Sequence, residues 1–181
     1  MKKLLFIILS LVVVSSLVAF EQGTKSMGGF LSFNSSKMTS DSDAVNTIMV
    51  MPYGGYFLTN NIMAEAFLAY YHANSDSYSD PYNEFGFGLG GRYFFNKLYA
   101  GAGFKMTSMD NGNTNYSANY LQFKAGYLVT IAENVFLDLG AIYDMGIGEY
   151  GGDWEGSDNE RSNFTIGLGI EIFLEKVSSF F

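Results

Sequence analysis

From Glu84 to Leu174 the chain alternates, residue by residue, between two unlike faces. In 135–147, Val135, Leu137, Leu139, Ala141, Tyr143, Met145 and Ile147 share one side, against Phe136, Asp138, Gly140, Ile142, Asp144 and Gly146. In 84–95, Phe85, Phe87, Leu89, Tyr93 and Phe95 oppose Glu84, Gly86, Gly88, Gly90 and Arg92. The windows 98–106, 119–131 and 163–174 repeat the pattern. A period of two is the signature of β-strands, and a helical period fits these windows less well. The two faces carry the stronger constraint. One is apolar and aromatic, while the other holds glycine and isolated charges. A soluble sandwich or lipocalin-like barrel turns its apolar side inward and its charges out. Glycine and single charges make a poor soluble core, because buried charges need partners. In a bilayer the same pattern fits, with the apolar face on lipid and a narrow polar interior.

The first twenty residues stand apart. Lys2 and Lys3 precede an apolar run, Leu4 to Val14, followed by Ser15, Ser16 and Ala19. This anatomy predicts a cleaved secretory signal over 1–20, cut after Ala19 or Phe20. The run is shorter than the roughly 20 residues a spanning helix needs. Its removal leaves about 161 of the 181 residues and moves the net charge from -8 to -10 by taking away two lysines. A charge of that sign disfavours nucleic acid. With no cysteine, a disulfide or thiolate-metal scaffold and a lipoprotein signal are excluded. No apolar run of the mature chain is a helical span, so a membrane-embedded form must be a barrel.

Eight strands are expected, at about 26–35, 46–58, 62–73, 84–95, 98–109, 119–131, 135–149 and 162–174. Short turns at 59–61, 96–97 and 132–134 alternate with longer polar connections at 36–45, 74–83, 110–118 and 150–161. An even strand number with short turns at one end is the arrangement of outer-membrane barrels. The predicted fold is therefore an all-β, eight-stranded antiparallel up-and-down transmembrane β-barrel over 21–174, followed by a periplasmic tail at 175–181. A weak repeat recurs where strands descend into short turns, and places Tyr56, Tyr93 and Tyr127 at intervals of 37 and 34 residues. By parity all three face lipid, as a periplasmic aromatic girdle would.

The segments PYGGYFLTNNI at 52–62 and GGRYFFNKLYAGAGF at 90–104 resemble small outer-membrane barrels of the OmpA/OmpX-like, opacity-protein-like superfamily. The resemblance spans nearly all of the mature chain and is one of pattern. It implies an eight-stranded barrel in the outer membrane of a diderm bacterium, monomeric and without a defined activity. It also implies contact with outer-membrane lipid and lipopolysaccharide, and handling by periplasmic chaperones and the barrel-assembly machinery. The family's assembly signal in the last strand is matched by Thr165, Gly167, Ile170 and Ile172. The tail from Glu175 to Phe181 departs from the pattern, since such chains usually end at the last strand's aromatic residue.

Seven charges are expected inside: Glu65, Arg92, Lys105, Lys124, Asp138, Asp144 and Glu171. An eight-stranded barrel is only wide enough for side chains to fill, so these must neutralise one another or hold water. A rigidifying salt-bridge network and a gated ion path are both compatible with them. His72, near Ser75, Asp76 and Ser77, is the sole histidine and the one opening for lipid A acyl chemistry, although no recognisable motif surrounds it. The acidic loop around Trp154 (Asp153, Glu155, Asp158, Glu160) lacks calcium-loop spacing. Across the long connections nine acids face Lys37 and Arg161, an outer rim that would repel lipopolysaccharide unless cations bridge it. The methionines are scattered filler, and no residue set calls for a metal or cofactor. The leading expectation is a non-enzymatic envelope protein with a structural or surface-interaction role. The alternatives are a narrow channel for ions or small solutes and a lipid A-modifying enzyme.

Overall fold

In a strand, successive side chains point to opposite sides of the sheet, so the alternation above becomes an outside and an inside once the sheet closes. A computed structural model describes residues 20–36, 45–74, 82–110 and 115–174. Eight strands run β1 (Lys25–Ser36), β2 (Val45–Phe57), β3 (Ile62–Asn74), β4 (Tyr82–Phe95), β5 (Leu98–Asp110), β6 (Asn115–Ala132), β7 (Val135–Gly152) and β8 (Ser162–Leu174). Each pairs antiparallel with its sequence neighbours, and β1 pairs with β8 to close the barrel. The predicted signal segment up to Ala19 and the tail from Glu175 onward lie outside the described residues.

The short turns use residues that tolerate left-handed backbone. Asn96 sits at φ 58° and Asn134 at φ 60°, a conformation asparagine adopts far more readily than most residues. The outer face is an apolar coat. Leu31, Leu68, Phe85, Leu89 and Ile166 are 56–69% exposed, and exposed large hydrophobics continue round every strand. A continuous surface of this kind is unsuited to water and suited to lipid.

The structure corrects two details. The connections expected at 110–118 and 150–161 are shorter, because β6 begins at Asn115 and β7 runs on to Gly152. Their hairpin is held above the barrel by Trp154 stacked on Tyr116, with Tyr150 edge-on to both. The inward face is also richer than glycine and isolated charges. Phe30, Phe57, Phe67, Phe94 and Phe173 are buried in the lumen, with Tyr53, Tyr71 and Tyr99 among them. The glycines make room for these rings. Gly126, Gly140 and Gly167 pair in register across β6, β7 and β8. A Cβ on Gly126 would come within 2.4 Å of the Tyr99 hydroxyl, and one on Gly167 within 2.7 Å of the Phe30 ring. The row is thus a trough in which Tyr99 and Phe30 lie. Elsewhere Gly88 does the same for Phe67, whose ring would meet an added Cβ at 2.2 Å.

Candidate functional site in the barrel lumen

The lumen is solid at the short-turn end. Phe57, Met63, Phe94, Leu128 and Phe173 are almost wholly buried there, and Phe20 and Phe136 pack against them. Phe20, the last residue of the predicted 1–20 segment and retained by a cut after Ala19, arrives from the segment before β1, held by hydrogen bonds between Gly23, Thr24 and Phe57. Its ring stacks on Phe173 at 4.3 Å and lies 4.8 Å from Phe57. Rings at such separations close the bore with apolar surface.

Directly above lies a tight ionic cluster. Arg92 of β4 gives two parallel hydrogen bonds to the Glu171 carboxylate of β8, Nη1 at 2.8 Å and Nη2 at 2.7 Å. Its Nε lies 2.8 Å from Glu65 Oε2 on β3. The Lys124 ammonium of β6 donates to the other oxygen of Glu65. The guanidinium is flanked by the rings of Tyr53 and Tyr99, at 4.8 and 5.0 Å. Among the described residues Asp138 has no cation of its own; the Tyr99 hydroxyl donates to it at 2.9 Å and the Tyr53 hydroxyl at 3.4 Å. Charge-assisted and bidentate bonds are the strong ones, and in a low-dielectric interior they repay desolvation only when the geometry is good and the remaining lone pairs are used. The free space among these groups is about 10 Å³. That is at the limit for one water and cannot hold a chain of them.

Higher in the barrel a second ionic set forms a floor. Lys105 Nζ lies 2.6 Å from Asp144 Oδ2 and donates to the Tyr71 hydroxyl at 2.9 Å, while Gln122 donates to Asp144 Oδ1 at 2.9 Å. Above this floor the lumen is hollow, with a cavity of about 1020 Å³. Its mouth is crossed by a polar strap. Arg161 Nη1 donates to the Tyr116 hydroxyl at 2.9 Å and to Tyr82 at 3.2 Å, and lies 3.3 Å from Glu84 Oε2. The Tyr82 hydroxyl also bonds to Glu84 and to Tyr116. Burial works against the Arg161 charge, but Tyr82 and Glu84 beside it hold the guanidinium above its usual value.

The seven charges singled out from sequence all lie buried in the lumen. They fall into two sets, however. Lys124 reaches down to Glu65 in the lower cluster, and Lys105 and Asp144 pair separately above. Tyr56, Tyr93 and Tyr127 point outward at the short-turn end, 44–54% exposed. On β8, Ile170 faces outward, while Thr165 and Gly167 share the inward parity. His72 also lies on the outward face, with Asn83 Oδ1 at 2.8 Å; Ser75, Asp76 and Ser77 lie outside the described residues. Of the acidic loop, Asp153 accepts a hydrogen bond from the Asn115 amide at 2.7 Å. Sequence reasoning missed the interior tyrosines, Glu84 as a lumen charge, and the inward turn of Arg161. The parity of Tyr99, Tyr120 and Glu84 was the available signal.

An outward apolar coat around a bore that carries the chain's charged and polar side chains defines a transmembrane-type barrel. Solved structures share the fold. OprG from Pseudomonas aeruginosa matches with a TM-score of 0.55 at 13% identity, covering 85% of this chain and 98% of that one. The N-terminal β-barrel domain of OprF from the same organism gives 0.55 at 14%, covering 84% and 98%. Neisserial surface protein A gives 0.54 at 17%, covering 82% and 94%. No family model matches the sequence, and no curated protein does.

Proposed function

We propose that this chain is an integral outer-membrane barrel of a diderm bacterium, non-enzymatic, with a structural and surface-interaction role in the envelope. Three outer-membrane proteins of the same fold support the location. The apolar coat supports it independently. The short turns then face the periplasm, and the cavity faces outward. Export by the leader, delivery by chaperones and insertion through the β8 signal follow from that location, and the closed ring suits a monomer.

One observation carries the non-conducting reading: the periplasmic half of the bore is filled by phenylalanine rings and a dry ionic cluster with about 10 Å³ of free space. Ion passage would need both layers to part. Planar-bilayer recording of the refolded barrel should show no unit conductance steps, and reproducible steps would overturn this reading in favour of a channel. The enzyme alternative finds no support at His72, whose outward ring is engaged by Asn83. His72→Ala should leave the lipid A mass spectrum of expressing cells unchanged.

A further inference from the structure

The β1–β8 seam is the odd one among the eight. Its ladder runs through seven pairs from Lys25↔Leu174 and stops at Leu31↔Leu168. Both strands continue beyond that point. β1 stays paired with β2 as far as Ser36↔Val45, and β8 stays paired with β7 as far as Met145↔Ser162. Two strand edges therefore face each other in the outer half of the wall with no ladder between them. Among the described residues the bond that crosses the gap comes from a side chain: Ser32 Oγ donates to the Ile166 carbonyl at 2.9 Å.

The cavity extends along this gap. Its lining includes inward-facing Ser32, Asn34 and Thr165, but also Phe33, Phe164 and Ile166 of the outer coat. Those three are 67%, 63% and 69% exposed. On β1 and β8, therefore, the cavity borders residues of both parities along the unladdered edges, where the wall between bore and coat is one strand edge against another. An open sheet edge in hydrocarbon is costly and is tolerated where it lines a cavity.

We propose that the outer half of the β1–β8 seam is a lateral portal by which a neutral single-chain amphiphile of the outer leaflet enters the cavity and is held there. The proposal rests on the membrane-barrel reading above. The chemistry of the occupant follows from the walls. The coat residues at the gap are apolar and continuous with the lipid-facing surface, which suits a hydrocarbon chain. Among the described residues the cations of the lining are matched, Lys105 by Asp144 and Arg161 by Glu84, which favours a neutral head over an ionic one. The hydroxyls of Tyr71, Tyr82 and Tyr116 suit an alcohol or carbonyl instead. The volume is that of a small-molecule site. The floor below is closed, so the cavity holds its occupant without passing it to the periplasm.

Trp154, the single tryptophan, stands in the cavity lining as a built-in reporter. The barrel, refolded into phosphatidylcholine vesicles, is titrated with 11-bromoundecan-1-ol, and undecan-1-ol serves as competitor. Saturable, competed quenching of Trp154 is expected, well beyond that given by a chain-brominated phosphatidylcholine. Asn34 and Thr165 continue the β1–β8 register above its last pair. Oxidation of the double variant Asn34→Cys/Thr165→Cys should staple the seam and cut quenching at a fixed probe level by about threefold or more, with recovery on reduction. Asn34→Phe, which narrows the same gap without a cross-link, should give the same loss. Unchanged quenching in the verified disulfide form and in Asn34→Phe overturns the portal. Unsaturable quenching of the parent chain overturns the binding site. If the chain fails to float with the vesicles, it is the membrane reading that falls.

Discussion

Below Lys105 the bore is packed solid, and above it the bore opens into a cavity, although the same eight strands enclose both halves. In the lower half the central cation is locked between rings: Arg92 lies against Tyr53, Phe94 and Tyr99, and its carboxylate partners are all but inaccessible. In the upper half the ionic groups border open space, and Arg161 is 47% exposed. The wall differs in the same sense, since the β1–β8 ladder holds only beside the packed half. The difference shows that a narrow barrel spends its rigidity where it must be sealed. Ion pairs do that only where they are buried with good geometry.

This contrast can be broken by comparing substitutions in the two halves, read as unfolding midpoints in one detergent. The largest loss is expected for Arg92→Ala, which leaves the buried Glu171 without its cation and Glu65 with Lys124 alone. About 3–5 kcal/mol is the scale for breaking a buried pair from one side. Adding Glu171→Gln to Arg92→Met, which leaves Glu65 with Lys124, should recover most of it, because the penalty lies in the uncompensated charge. A midpoint unmoved by Arg92→Ala would mean that the cluster does not hold the lower half together. Next comes Phe57→Ala, expected to cost about 3 kcal/mol as a cavity in a packed ring cluster. The same variant should still show no conductance steps, since the ionic layer above remains. Lys105→Met leaves Asp144 beside the hollow, where water and Gln122 can serve it, and about 1–2 kcal/mol is expected. A loss as large as that of Arg92→Ala would show that the floor is as dry as the cluster. The smallest effect belongs to Glu84→Gln at the mouth, below about 1 kcal/mol, as for other partly solvated pairs. A larger shift would show that the strap is part of the fold's core.

Much of this was legible in the alternation. Arg92, Glu171, Asp138 and their like lie inward because a period of two leaves them nowhere else to point. The same parity put Tyr99, Phe136 and Phe173 on the inner face, yet an interior described as glycine and isolated charges passed over the rings. Glycine 126, 140 and 167 read as absence of bulk; their role appears only when Tyr99 and Phe30 are seen lying across them. The grouping of the charges was out of reach, because Arg92 meets Glu171, and Lys124 meets Glu65, across strands that are not neighbours. Along the chain Lys124 belongs with Lys105 and Asp144, and only its reach across the bore assigns it to Glu65.

The residue pattern by itself determined the number of strands, their alternating connections, and which side chains face out. Pleat and turn chemistry are local, and a one-residue slip would turn every apolar side chain inward. Ring closure decided the rest. Which inward groups meet depends on the tilt and stagger of the closed sheet, and whether the last seam zips fully depends on how the first and last strands come together. These are properties of the whole ring. No stretch of the chain encodes them alone, and they separate the sealed half of the bore from the open one.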